Sequence, residues 1–361
     1  MDPGSRRRPR APAVVTSVAD TQPREEPPIR RWPGRARSAL AGFLLAAVAL
    51  ASTASAPAGR HPVSGPRRAA ARIALPPAPP APTPPPTPFG DTYALEHPAP
   101  DLDLHAQSAV LVDLDTLQVL WERDPHARRA PASLTKLMTV LVAMDLATSL
   151  DQTVTVPNSV TGLEPDSTLM GLVPGERLSL RDLMYGIFLE SGNDAAETLA
   201  GAFVPRDRFI QLMNEKAALL GMHDTHFSNP TGLDAPDHYS SAYDLAIAAA
   251  AIAIQRPDIM SIAGTRSVVI PAGDGHPEYD MGTLIRLVDV YPGATGLKTG
   301  YTDEAGYCLA ATATRAGRHL LAVLLHSDTG LTEDAERLLD YGFAIPPSAE
   351  PPPPTVDLLT Q

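Results

Sequence analysis

The placement of proline limits what this chain can fold into more than any other feature. Its 39 prolines crowd towards the two ends of 361 residues, and proline neither donates a backbone hydrogen bond nor fits inside a helix or a central strand. Residues 57–100 are dominated by proline and alanine, with Pro76-Pro77-Ala78-Pro79-Pro80-Ala81-Pro82 followed closely by Pro84-Pro85-Pro86. That composition describes an extended, semi-rigid linker. Residues 346–361 form a second Pro-rich stretch, a tail through Pro351 to Pro354. Between the arms, residues 101–345 form one domain of roughly 240 residues without internal repeats. An apolar fraction of 44% lets such a domain bury its own core. Cys308 is the single cysteine, so an intramolecular disulfide framework and a cysteine-rich zinc site are both excluded.

The N-terminal end reads as an export signal. Residues 1–37 are a basic segment with nine arginines and no lysine, leading into the apolar run Ala39 to Ala51 and then Ala54-Ser55-Ala56. A basic region, a short apolar stretch and a small-x-small site across 38–56 are the parts of a secretory signal peptide, cut after Ala56. Left uncut, the same segment extends through Ser52 to Ala56 to the ~18 residues of a membrane anchor. Either outcome places everything after residue 57 outside the cytoplasmic membrane. The net charge is −12, and from residue 57 onward 20 basic residues face 37 acidic ones. A surface of that sign repels phosphate backbones, so nucleic acid is not an expected partner.

Within the domain, Ala109 to Asp113 and Gln118 to Arg123 are expected to alternate apolar and polar across an Asp-Thr turn, as a β-hairpin does. Leu134, Leu137, Met138, Leu141 and Met144 recur at helical spacing in a helix opened by Ser133, just after Pro131. A second helix starts at Ser179 with Asp182 as its capping partner and runs out at Ser191-Gly192. Further helices are expected near 194–203, 206–220, 241–253 and 333–341. Thr295 to Gly300 reads as a strand, and Tyr307 to Thr314 pairs with His319 to His326 around Ala316-Gly317. Hairpins at both ends with helices between them predict an α+β fold, a mixed antiparallel sheet packed by helices.

Lysine usage points to the chemistry. Of 29 basic residues only Lys136, Lys216 and Lys298 are lysines. Arginine serves wherever plain charge suffices, whereas a lysine amine can give up its proton in a suitable site. Ser133-Leu134-Thr135-Lys136 sets a hydroxyl and an amine three apart on one helix face. Burial and a second cation nearby would lower the lysine pKa and let it act as a base for the serine. Ser191-Gly192-Asn193 stands at a helix end, where its hydroxyl and amide can relay a proton and orient a substrate amide. The same residues also serve as an ordinary helix stop and cap. Lys298-Thr299-Gly300 lies on the expected strand and offers a cation, a hydroxyl and a close approach to backbone. The conjunction carries the weight: Ser-x-x-Lys, Ser-x-Asn and Lys-Thr-Gly occur in that order, with two of the three lysines inside them.

With these motifs the chain resembles the low-molecular-mass penicillin-binding proteins that act as D-alanyl-D-alanine carboxypeptidases, over about residues 103–343. The stretches that carry the resemblance are Pro131-Ala-Ser-Leu-Thr-Lys-Leu-Met-Thr139, Leu189-Glu-Ser-Gly-Asn-Asp-Ala-Ala196, Phe227-Ser-Asn-Pro-Thr-Gly-Leu233, Thr299-Gly-Tyr-Thr302 and Leu339-Asp-Tyr-Gly-Phe343. It implies a five-stranded antiparallel sheet flanked by helices, beside a helical region. The nucleophile Ser133 would sit at their junction, with Lys136, Ser191 and Asn193 as catalytic partners. Lys298, Thr299, Gly300 and Tyr301 would bind substrate, the backbone N–H groups of Ser133 and Tyr301 forming an oxyanion hole. The implied partners are the D-Ala-D-Ala end of a peptidoglycan stem peptide and β-lactams as inhibitors, with no cofactor and no metal. A D,D-endopeptidase, a β-lactamase or a non-catalytic cell-wall sensor would share the fold. No Glu-x-x-x-Asn segment follows the middle motif, which weighs against a class A β-lactamase.

The chain departs from the family at Leu117, where a turn glycine is usual, and near Thr283, where an asparagine is usual. The all-β second domain and C-terminal amphipathic anchor of many relatives are also not found, so anchoring is expected through the N-terminus. Among the other candidates, His223-Asp-Thr-His226 lacks the carboxylate of a metalloprotease motif, Cys308 is expected to be buried packing, and Lys216 is expected on the surface.

Overall fold

The computed structural model of the chain describes residues 88–163, 167–273 and 275–347. The basic segment 1–37, the apolar segment 38–56, most of the linker and most of the tail lie outside the described residues. Along the chain come α1 (Thr92–Glu96), β1 (Ser108–Asp113), β2 (Gln118–Arg123), a 3-10 turn (Ala132–Thr135) and α2 (Lys136–Leu146). They are followed by β3 (Thr153–Thr155), β4 (Arg177–Ser179), α3 (Leu180–Phe188), α4 (Asn193–Ala202), α5 (Arg206–Leu219), α6 (Ala242–Gln255) and α7 (Pro257–Ala263). The remainder is β5 (Ser267–Ile270), β6 (Tyr279–Gly282), α8 (Leu287–Val290), β7 (Ala294–Thr302), β8 (Gly306–Arg315), β9 (Arg318–Ser327) and α9 (Thr332–Ala344).

Five strands form the main sheet in the order β2-β1-β9-β8-β7, every neighbour antiparallel. The first and last hairpins therefore meet in the middle, where β1 pairs with β9 from Ser108↔Leu325 to Asp113↔Leu320. The alternation expected for β1 does not hold, because all six of its residues are buried. The cause is packing on both faces. Val110 and Val112 join the core beneath α2 to α7, while Ala109 and Leu111 join a second core beneath α8 and α9. Along β9, Leu321, Val323 and Leu325 face the first core while Leu320, Ala322 and Leu324 face the second. A strand covered on both sides reads as an unbroken apolar run.

Helix α6 is buried from Ala242 through Ile252 and packs on β9 and β1, as expected of a helix that is apolar all round. Helix α3 begins with the reciprocal cap foreseen at Ser179, whose hydroxyl accepts from the Asp182 N–H while the Asp182 carboxylate accepts from the Ser179 N–H, each at 3.2 Å. Within the stretch assigned to the linker, Phe89 is 3% exposed and the Gly90 N–H donates to the Leu117 carbonyl at 2.8 Å. Packing of the domain thus reaches back to at least residue 89. Leu117 itself holds φ at +55°, the left-handed conformation for which glycine is the undemanding residue.

Arg318 ties the second core together. Its guanidinium donates to Asp113 Oδ2 at 2.8 Å and to the Gly342 carbonyl at 2.9 Å, so it neutralises a buried carboxylate and closes the C-terminal end of α9. The side chains are 11% and 3% exposed. Arg318→Met should destabilise the fold by about 3 kcal/mol or more, because Asp113 would remain buried without its counter-charge. A denaturant midpoint lowered at unchanged slope checks this; an unchanged midpoint would refute the role.

Candidate active site

The 3-10 turn Ala132–Thr135 presents Ser133 half-buried at the junction of the sheet and the helical region. Ala132, just before it, takes φ of +48°, a conformation that surrounding structure must hold in place. Two contacts do so. At Gly232, with φ of +89°, an added Cβ would lie 1.9 Å from the Ala132 carbonyl oxygen. At Gly300 an added Cβ would lie 2.8 Å from the Ser133 nitrogen. The glycine of Lys-Thr-Gly lets β7 lie against the turn that carries Ser133.

Lys136 is the first residue of α2 and is 0% exposed. Its Nζ lies 2.8 Å from Ser133 Oγ, 2.7 Å from Asn193 Oδ1 and 2.7 Å from the Thr231 carbonyl oxygen. The last two are acceptors only, so each requires an N–H. An ammonium donates to all three oxygens; once neutral, the amine keeps two hydrogens for the acceptors and can turn its lone pair to the Ser133 hydroxyl. Burial in the first place, and then the charge of Lys298, hold the Lys136 ammonium well below the ordinary lysine range, while Asp194 and Glu197 pull the other way. The geometry puts the amine within reach of the serine proton, and the electrostatics favour its neutral form.

Lys298, on β7, is also 0% exposed. Its Nζ donates to Ser191 Oγ at 2.9 Å and to the Thr299 carbonyl at 2.7 Å. Burial lowers it to about 7, so at neutral pH its charge is conditional instead of fixed. Ser191 sits in a left-handed conformation with φ of +57°, which turns its hydroxyl towards Lys298. Asn193 opens α4, its N–H donating to the Thr168 carbonyl at 2.8 Å. The Asp194 carboxylate accepts from the N–H groups of Met170, Gly171 and Leu172, each at 2.8 Å, and so fastens the loop beside the middle motif. The Thr299 side chain is half-buried, and Tyr301 is 55% exposed with its ring 4.8 Å from that of Tyr307. β7 is an edge strand, so one row of its backbone N–H groups is left unpaired by the sheet.

The structure therefore brings Ser133, Lys136 and Asn193 into one hydrogen-bonded group and Ser191 with Lys298 into a second, with Gly300 between the strand and the turn. Sequence reasoning gave no role to the Thr231 carbonyl. The segment from Phe227 to Leu233 was singled out only for its resemblance, although an Asn-Pro-Thr-Gly run is a strong turn signal. In it Asn229 Oδ1 accepts from the N–H groups of Thr231 and Gly232 at 3.1 and 2.7 Å, shaping the loop that offers the carbonyl to Lys136.

Lys216 differs from its expected surface position. It is 8% exposed, not on the surface, with Nζ 3.0 Å from Asp145 Oδ2. Helix α5 packs against α2, and the apolar stem of the lysine is covered while its ammonium reaches a carboxylate. His226 bonds to the Asp237 carbonyl at 2.6 Å, and among the described residues no three His, Cys, Asp or Glu side chains converge on one point. Cys308 is buried in the first core, where burial pushes its thiol up to about 12.

A serine bonded to a buried lysine, at the junction of a five-stranded antiparallel sheet and a helical region, defines the penicillin-binding class of active-site-serine folds. The family model described as D-alanyl-D-alanine carboxypeptidase matches residues 94–329, and the chain belongs to that family. It is 36% identical over 255 residues to the D-alanyl-D-alanine carboxypeptidase DacF of Bacillus subtilis, covering 68% of this chain and 64% of that protein. It is 37% identical to the D-alanyl-D-alanine carboxypeptidase DacB2 of Mycobacterium tuberculosis, covering 68% of this chain and 84% of the relative. Among solved structures, the Streptomyces K15 DD-transpeptidase superposes with a TM-score of 0.62 at 28% identity, covering 69% of this chain and all (100%) of that one.

Proposed function

We propose that the chain is a serine-type D-alanyl-D-alanine carboxypeptidase that removes the terminal D-alanine from peptidoglycan stem pentapeptides. The observation that carries this reading is the Lys136 amine, 2.8 Å from Ser133 Oγ with its other two contacts, Asn193 Oδ1 and the Thr231 carbonyl, both acceptors. Ser133 attacks the carbonyl between the two D-alanines as Lys136 takes its proton. The N–H groups of Ser133 and Tyr301 receive the oxyanion. Ser191 passes a proton to the leaving amine, Asn193 orients the substrate amide, and Lys298 with Thr299 holds the terminal carboxylate. Water then releases the acyl group. β-Lactams present the same kind of carbonyl and are held as slow acyl-enzymes.

Residues 38–56 direct export, and the Pro-rich stretch from residue 57 to about residue 88 spaces the domain from the membrane, which it meets through the N-terminal segment if that remains uncut. A second reading rests on the likeness to a DD-transpeptidase. Both activities share the acylation step and differ only in whether water or an amine resolves the acyl-enzyme. Incubation with a pentapeptide muropeptide should release D-alanine with a tetrapeptide product. Ser133→Ala should abolish this release, and its persistence in that variant would overturn the assignment. A cross-linked product in place of free tetrapeptide would favour the second reading.

A further inference from the structure

His238 lies outside every motif that carries the proposed chemistry, yet it is 6% exposed and fully committed in its bonding. The Ser228 N–H donates to its Nδ1 at 2.9 Å, which makes Nδ1 an acceptor and leaves the ring proton on Nε2. Nε2 lies 2.9 Å from the hydroxyl oxygen of Thr135 and donates to it. Thr135 is the third residue of Ser-Leu-Thr-Lys and is 0% exposed. The ring also packs edge-on against Phe227, centroids 5.9 Å apart. Burial lowers the imidazole to about 4, so at neutral pH it keeps the single proton that this arrangement requires.

The bridge joins the two segments whose relative placement sets the site. On one side is the turn that carries Ser133. On the other is the loop that supplies the Thr231 carbonyl to Lys136 and the Pro230 carbonyl to Thr139, each at 2.7 Å. The Thr139 and Lys136 bonds hold the helix that follows the turn. The side chain held by the His238 bridge belongs to the turn itself, two residues beyond the nucleophile.

We propose that His238 is a positioning residue for Ser133: its neutral ring bridges Thr135 to Ser228 and so fixes the strained turn that aims the nucleophile at its base. This inference rests on Ser133 being the acylated residue. A side chain that preserves one acceptor and one donor at these places keeps the bridge, and an apolar one of similar size does not.

The experiment measures acylation of the full chain by a fluorescent penicillin, separating the pre-acylation binding constant from the acylation rate constant. His238→Leu should lower the rate constant by about 10- to 100-fold with little change in binding, the signature of a misaimed nucleophile. His238→Gln, with an amide oxygen for Ser228 and an amide N–H for Thr135, should recover most of it. Thr135→Val removes the partner alone and should lose a comparable factor, with the double variant no slower than His238→Leu; it also stands in should the leucine variant fail to fold. Wild-type rates in His238→Leu or Thr135→Val, or an equal loss in the glutamine and leucine variants, would overturn the proposal. Should the wild-type chain itself fail to acylate, the fault would lie in the reading of Ser133 instead.

Discussion

Lys136→Met will acylate about 10³-fold or more slowly than the wild-type chain, towards the upper end of what a general base contributes, and Lys136→Arg will do no better. The arginine variant is the discriminating one. It keeps a cation beside Ser133 but cannot accept the serine proton, so it separates proton transfer from charge. Burial, and after it the charge of Lys298, lower the Lys136 ammonium well below its ordinary value. A rate within about tenfold of wild type in either variant would remove Lys136 from the role of base. The same burial has a consequence for stability. In the unfolded chain this lysine holds its proton up to about 10.5, and in the folded chain it gives the proton up earlier. The cost of burying it is therefore full at low pH and shrinks as pH rises towards the unfolded value. Any stability advantage of Lys136→Met should accordingly narrow in denaturant titrations as pH rises towards about 10.5.

Lys298→Ala should raise KM for a pentapeptide by about 100-fold, the scale of losing a buried charged partner for a carboxylate, with a smaller effect on kcat. Because burial sets Lys298 at about 7, rising pH removes the cation that the substrate carboxylate needs. The profile of kcat/KM should therefore carry a falling limb near neutral pH as Lys298 loses its proton. Lys298→Arg, charged throughout, should carry no falling limb there even if its overall rate is reduced. Persistence of that limb in the arginine variant would show that another group causes it.

Elements with local chemical signals were legible in the sequence. Ser179 with Asp182 marked the start of α3, and Ala316-Gly317 marked the turn between β8 and β9. Scarcity of lysine singled out Lys136 and Lys298, and both are fully buried with the motif serines as partners. Features set by distant packing were not legible. The short pairs β3–β4 and β5–β6 have three- and four-residue strands, too short for a period to register. β1 misled because two cores, not one, cover the sheet. The Thr231 carbonyl carries no side-chain signature at all, since any residue type offers a backbone oxygen. His238 looked like one histidine among ten until its two ring nitrogens were seen to be bonded to different segments.

Intact mass analysis of the full chain after brief exposure to penicillin or a pentapeptide muropeptide, followed by peptide mapping, tests the central claim most directly. The chain should gain the mass of one acyl group, located on Ser133, and Ser133→Ala should gain none. An adduct on any other residue, or one that survives in Ser133→Ala, would contradict the account.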